Sequence, residues 1–68
     1  MSALTVNGRP HELRRVDATL SQLLEELALG GKRIAVEVNG VIVPRSAYAS
    51  TRLCAGDKLE IVGAVGGG

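Results

Sequence analysis

The chain has 68 residues, eight Lys or Arg against seven Asp or Glu, and a formal net charge of +1. So even a balance argues against a nucleic-acid binder, which carries a clustered basic excess, and the single aromatic side chain, Tyr48, makes no platform for stacking bases. A chain of this size buries only about 60% of its unfolded surface, so one small domain is expected, with an aliphatic core that uses nearly every apolar side chain.

No apolar run approaches the roughly 20 residues needed to span a bilayer. No basic segment leads into an apolar stretch at the N-terminus, and the ending is not a prenylation box, so neither a leader nor a membrane partner is expected. Cys54 is the one cysteine and has no metal-ligand spacing around it. The expectation is a soluble protein of the reducing cytoplasm that binds no metal and no cofactor.

Ala3-Leu4-Thr5-Val6 alternates apolar and polar residues and runs into Asn7-Gly8, the dipeptide favoured by two-residue hairpin turns. Pro10 and the alternating stretch from His11 to Val16 read as a returning edge strand with Leu13 facing inward; proline at its start is acceptable only on an edge. Leu20, Leu23, Leu24, Leu27 and Ala28 then form one apolar stripe on a period of 3.6. Thr19 and Gln22 have the spacing of a capping box, and Gly30-Gly31 is the expected helix stop. Glu25 and Glu26 fall on the solvated flank.

Ile34, Val36 and Val38 alternate with Ala35, Glu37 and Asn39, a half-buried strand that Asn39-Gly40 turns back into Val41-Ile42-Val43. Pro44 and Arg45 end that strand, and Ser46 to Thr51 reads as a turn or single-turn helix. Gly56-Asp57-Lys58 leads into a last strand, Leu59-Glu60-Ile61-Val62. A helix between two hairpins hides its stripe only against a sheet. The expected architecture is therefore α+β: a mixed, mostly antiparallel sheet of four or five strands wrapped over one helix, with Leu24→Ala or Ile61→Ala costing roughly 2–5 kcal/mol.

Enzymatic machinery is mostly absent from the sequence, Cys54 and His11 being the one conceivable nucleophile and base. There is no G-x-x-x-x-G-K-[ST] loop and no G-x-G-x-x-G after a strand. His11 reads as an exposed edge-strand histidine and Cys54 as a small, partly buried hydrophobe. Lys32-Arg33 and Arg14-Arg15 read as solvated pairs. No residue is expected to be catalytic.

Turns and a helix end account for the other glycines, which leaves Gly66-Gly67-Gly68 without a structural task. Three residues lacking a Cβ pack no core, but they form a thin backbone that fits a narrow channel. The six residues from Gly63 to Gly68 reach roughly 20 Å when extended. An α-carboxyl is ionised at neutral pH, with an ordinary pKa of about 3.5, and resists nucleophiles until it is activated. With no nucleotide site in this chain, a partner has to bring ATP and magnesium.

Several stretches together resemble the thiamine-biosynthesis sulfur-carrier proteins, small relatives of ubiquitin with a β-grasp fold. They are Val6-Asn7-Gly8, Thr19 to Leu24, Ala35 to Gly40 with Val43-Pro44-Arg45, Gly56 to Ile61, and Ala64 to Gly68. Tyr48 stands where many members carry Trp. The resemblance implies a β-grasp domain over residues 1–63 and a flexible tail over 64–68 that carries the reactive Gly-Gly end. It implies that a partner similar to the ubiquitin-activating enzymes adenylates Gly68. A persulfide, its sulfur ultimately from cysteine, would then supply sulfur for a thiocarboxylate, and thiazole synthase would receive that sulfur. Gly66 and Gly67 would form the thin approach, and Glu60, Val62 and Val65 the contact surface for partners. Three alternatives stay open: a carrier of the kind found as the small subunit of molybdopterin synthase, a ubiquitin-like protein modifier, and a binding domain with incidental glycines.

Overall fold

The computed structural model describes residues 3–15 and 17–63. Five strands, β1 (Ala3–Val6), β2 (Arg9–Glu12), β3 (Ile34–Val38), β4 (Val41–Val43) and β5 (Lys58–Gly63), form one sheet in the order β2-β1-β5-β3-β4. β1 and β5 are parallel, and the other pairs are antiparallel. One helix, α1 (Leu20–Glu26), and a 3-10 helix (Arg45–Ser50) complete the described elements. The expected mixed sheet over one helix is what forms, with β5 at its centre. Among the described residues no helix is long and apolar enough to cross a membrane.

β2 differs from its expected span. The positive φ of Asn7 (53°) and Gly8 (82°) makes a two-residue turn, so Arg9 pairs with Val6 at once and the strand begins at Arg9, before Pro10. Pro10 therefore lies inside the strand, opposite Thr5. Thr5 spends its own N–H on Asp57 O of the neighbouring side, at 3.0 Å. The Thr5–Pro10 pair is thus a non-hydrogen-bonded one, and the N–H that proline lacks falls on the open edge. Leu13 is buried as expected, though it follows the strand rather than belonging to it. Val16, expected to end that strand, lies outside the described residues.

The capping box forms: Gln22 N–H donates to Thr19 Oγ1 at 3.3 Å, and Thr19 N–H to Gln22 Oε1 at 2.9 Å. Leu20, Leu23 and Leu24 are buried, but the helix stops earlier than its stripe. Ala28 is exposed and left-handed, with φ of 60°, in place of the expected Gly30 or Gly31. Two bonds fix this ending: Ala28 N–H to Glu25 O at 3.0 Å and Leu29 N–H to Leu24 O at 2.8 Å. Leu29 is thereby turned onto the core, against which it is partly buried, and that burial offsets strain at Ala28.

One core results. Leu4, Leu13, Ala18, Leu20, Leu23, Leu24, Val36, Leu53, Leu59 and Ile61 are buried together, with Tyr48 partly buried against them. The segment after the 3-10 helix ties in by Leu20 N–H to Thr51 O at 2.8 Å and Leu53 N–H to Ala18 O at 2.9 Å. These bonds seat Leu53 under the start of α1.

Candidate functional site

β5 is the element that leads to the glycine triplet. It lies between β1 and β3 and alternates from Lys58 to Val62: Leu59 and Ile61 are buried, while Lys58, Glu60 and Val62 are exposed, as is Gly63 at its end. Glu60 and Val62 therefore sit on the sheet face opposite α1, as the sequence suggests. Val65, Gly66, Gly67 and Gly68 lie outside the described residues.

The register adds neighbours that the sequence does not single out. Glu37 on β3 stands directly opposite Glu60, Ala35 opposite Val62, and Ile42 on β4 opposite Glu37. Ile42 is 70% exposed and Val62 63%. This outer face therefore holds two adjacent carboxylates flanked by open aliphatic groups. Like charges directly opposite each other repel. Among the described residues the one contact within 4.0 Å between a carboxylate and a Lys, Arg or His nitrogen is Glu26 with His11, so neither Glu37 nor Glu60 has such a partner at that distance. Each strand's alternation places these side chains outward; their adjacency needed the pairing of β3, β4 and β5.

Two asparagines meet the ends of β5. Asn7 Oδ1 accepts from Ile61 N–H at 2.7 Å and its Nδ2 donates to Ile61 O at 3.0 Å. At the other end, Asn39 Oδ1 accepts from Lys58 N–H at 2.9 Å and its Nδ2 donates to Asp57 Oδ1 at 3.0 Å. Sequence reasoning reads both as turn residues only; a carboxamide reaching across 54 positions leaves no local pattern.

The remaining candidates are dispersed. Cys54 is exposed rather than partly buried, because Asp57 Oδ2 holds its backbone N–H at 2.8 Å in a tight surface turn. His11 Nε2 lies 3.4 Å from Glu26 Oε1, joining the β2 edge to α1. A groove of about 260 Å³ between the end of α1 and the 3-10 helix is lined by Leu24, Glu25, Lys32, Arg45 and Tyr48 among others. Among the described residues no group of three His, Cys, Asp or Glu side chains is arranged to hold a metal ion.

A mixed sheet of this order wrapped on one helix is the ubiquitin-like β-grasp fold. A crystal structure of a thiamine biosynthesis protein, ThiS, from Geobacter metallireducens superposes with a TM-score of 0.83 at 32% identity, covering 97% of this chain and 99% of that one. The sequence model of the ThiS family matches residues 4–68. The chain belongs to the ThiS family. It is 35% identical over 65 residues to the sulfur carrier protein ThiS of Bacillus subtilis, covering 96% of this chain and 98% of that protein. It is also 43% identical over 65 residues to a thiazole synthase of Paramagnetospirillum magneticum, where it spans 96% of this chain but only 20% of the relative.

Proposed function

We propose that the protein is a sulfur carrier for thiamine biosynthesis whose working group is the carboxylate of Gly68. One observation carries this reading: the family match runs from residue 4 through residue 68 and so includes the glycine triplet as well as the folded body. The chain serves as a protein co-substrate, and no residue of its own is catalytic. ATP and magnesium enter with an adenylating partner of the ubiquitin-activating kind.

The chemistry runs in three steps. A Gly68 carboxylate oxygen attacks the α-phosphorus of ATP, an acyl–phosphate bond forms and pyrophosphate leaves. The terminal sulfur of a persulfide then attacks the acyl carbon, and AMP departs to leave an acyl disulfide. A thiol breaks that S–S bond, supplying two electrons, and releases the C-terminal thiocarboxylate and a new disulfide. Thiazole synthase receives the sulfur. A segment like this chain occurs within a Paramagnetospirillum protein named thiazole synthase, which supports that enzyme as the acceptor.

The outer face of β5, with Glu60 and Val62, serves as the docking surface, together with Val65. Glu37 and Ile42 extend it, since they share that face. Gly66 and Gly67 pass through the partner's channel, where a side chain would collide.

Intact-mass spectrometry of the mature protein after incubation with ATP, the adenylating enzyme and a persulfide donor tests the reading. The expected result is a chain ending at Gly68 whose mass rises by the exchange of one oxygen for sulfur. Gly67→Val is expected to lower the rate of adenylation at least a hundredfold, on the order of the loss caused by misplacing a reacting group. A protein found joined to lysines of other chains would be a modifier instead. A mature chain extending past Gly68, or undiminished adenylation of Gly67→Val, overturns the assignment.

A further inference from the structure

The arrangement of Asn7 against β5 has a use beyond making a turn. Among the described residues β1 runs parallel to β5 for two paired positions, Thr5 with Lys58 and Val6 with Leu59. Asn7 N–H still donates to Leu59 O at 2.8 Å, and then the chain turns away through Asn7 and Gly8 into β2. A continuing parallel strand would next present a carbonyl to Ile61 N–H and an N–H to Ile61 O. The Asn7 carboxamide supplies both groups, at 2.7 and 3.0 Å. One side chain thus replaces the missing length of β1. It does so at Ile61, two residues before Gly63, the last described residue of the strand.

Alternation along β5 completes the picture. Leu59 and Ile61 direct their peptide groups toward β1 and Asn7, so Glu60 and Val62 direct theirs toward β3. Gly63 next faces the β1 side again, where the turn has already removed the strand. Among the described residues Ile61 is therefore the last of β5 held from that side, and Asn7 is what holds it.

We infer that Asn7 is a positioning residue: its carboxamide fixes the end of β5 and so sets the direction from which Gly68 is delivered to an adenylating partner. This rests on the sulfur-carrier reading. Asn7 touches no reacting atom; it acts through Ile61 and Gly63. The ordinary explanation, that asparagine tolerates positive φ in a two-residue turn, applies equally to Asn39, whose φ is also 53°. Asn39 grips the start of β5 at Lys58, far along the strand from its exit. The molecule therefore contains its own control.

Asn7→Gly keeps the turn, since glycine accepts positive φ, and removes only the carboxamide. Asn7→Asp keeps the acceptor for Ile61 N–H and loses the donor. Asn39→Gly removes the matching grip at the other end. Each variant is assayed with saturating ATP and its adenylating enzyme by pyrophosphate release, with amide hydrogen exchange read at Ile61. Asn7→Gly is expected to lose roughly tenfold in kcat, with KM within about twofold of wild type, and to exchange faster at Ile61. Asn7→Asp is expected to fall between that variant and wild type. Asn39→Gly is expected to leave kcat, KM and exchange at Ile61 within about twofold.

Wild-type kcat in Asn7→Gly, unchanged exchange at Ile61 in that variant, or an equal kcat loss in Asn39→Gly overturns the positioning role and leaves the carrier reading standing. Absence of pyrophosphate release from the wild-type protein overturns the carrier reading, and this role with it.

Discussion

The two faces of the sheet are built to different ends. The face against α1 is filled by Leu4, Val36, Leu59 and Ile61, all buried, and contains no buried polar or charged side chain among the described residues. The opposite face sets Glu37 against Glu60 and leaves Ile42 and Val62 open. A domain this small has little stability to spare, yet its outer face keeps a repulsive pair where a Lys opposite a Glu would help. The inner face answers to folding, and the outer face is available for recognition.

The largest expected effect comes from breaking the inner face. Leu59 is 0% exposed, near the start of the middle strand. Leu59→Ala removes a full aliphatic group and leaves a cavity that the flanking strands β1 and β3 cannot close, costing roughly 2–5 kcal/mol. Chemical denaturation should show the midpoint falling with the slope unchanged. Ile42→Ala, a comparable truncation on the open face, should move the midpoint little. Equal losses at the two sites would erase the distinction between the faces.

Most of the inner face is legible in the amino-acid order. Alternation in β1, β3 and β5 names Leu4, Val36, Leu59 and Ile61, and the 3.6-residue stripe names Leu20, Leu23 and Leu24. What is not legible depends on contacts between distant segments. The helix stop is one case: two glycines advertise a C-terminus, but Leu29 reaches the core only if Ala28 turns left-handed first. Leu53 is another, buried through backbone bonds from residues 51–53 to the start of α1. On the outer face, the alternation shows Glu37, Glu60, Ile42 and Val62 pointing outward one strand at a time. Only the register makes them a single surface. The glycine triplet lies outside the described residues, and the family match, which runs through residue 68, is what includes it.

Ala28 offers an intermediate effect of opposite sign. Its φ of 60° costs an L-residue roughly 1–2 kcal/mol relative to glycine, part of which glycine's greater unfolded-state entropy cancels. Ala28→Gly should therefore raise stability by about 0.5–1 kcal/mol, since Ala28 is exposed and little buried area is lost with its methyl group. A thermal or denaturant melt reads this directly. A destabilised Ala28→Gly would mean that the bonds from Ala28 and Leu29 do not set the helix end.

The smallest effect on stability carries the sharpest statement about the outer face. Glu60→Gln keeps size and shape and removes one of two repelling charges, so stability should rise by roughly 0.3 kcal/mol at low salt and the gain should shrink as salt screens the pair. If the carboxylates are there to meet a basic group on the adenylating partner, the same substitution should raise KM several-fold at low ionic strength. The strand's path is untouched and Asn7 still holds Ile61, so kcat should stay near wild type. That pattern is the reverse of the one expected for Asn7→Gly. A docking surface on β5 and a turn residue that holds the end of β5 are thus told apart by which kinetic constant moves, and a Glu60→Gln variant with unchanged KM at low salt removes the acidic pair from the docking surface.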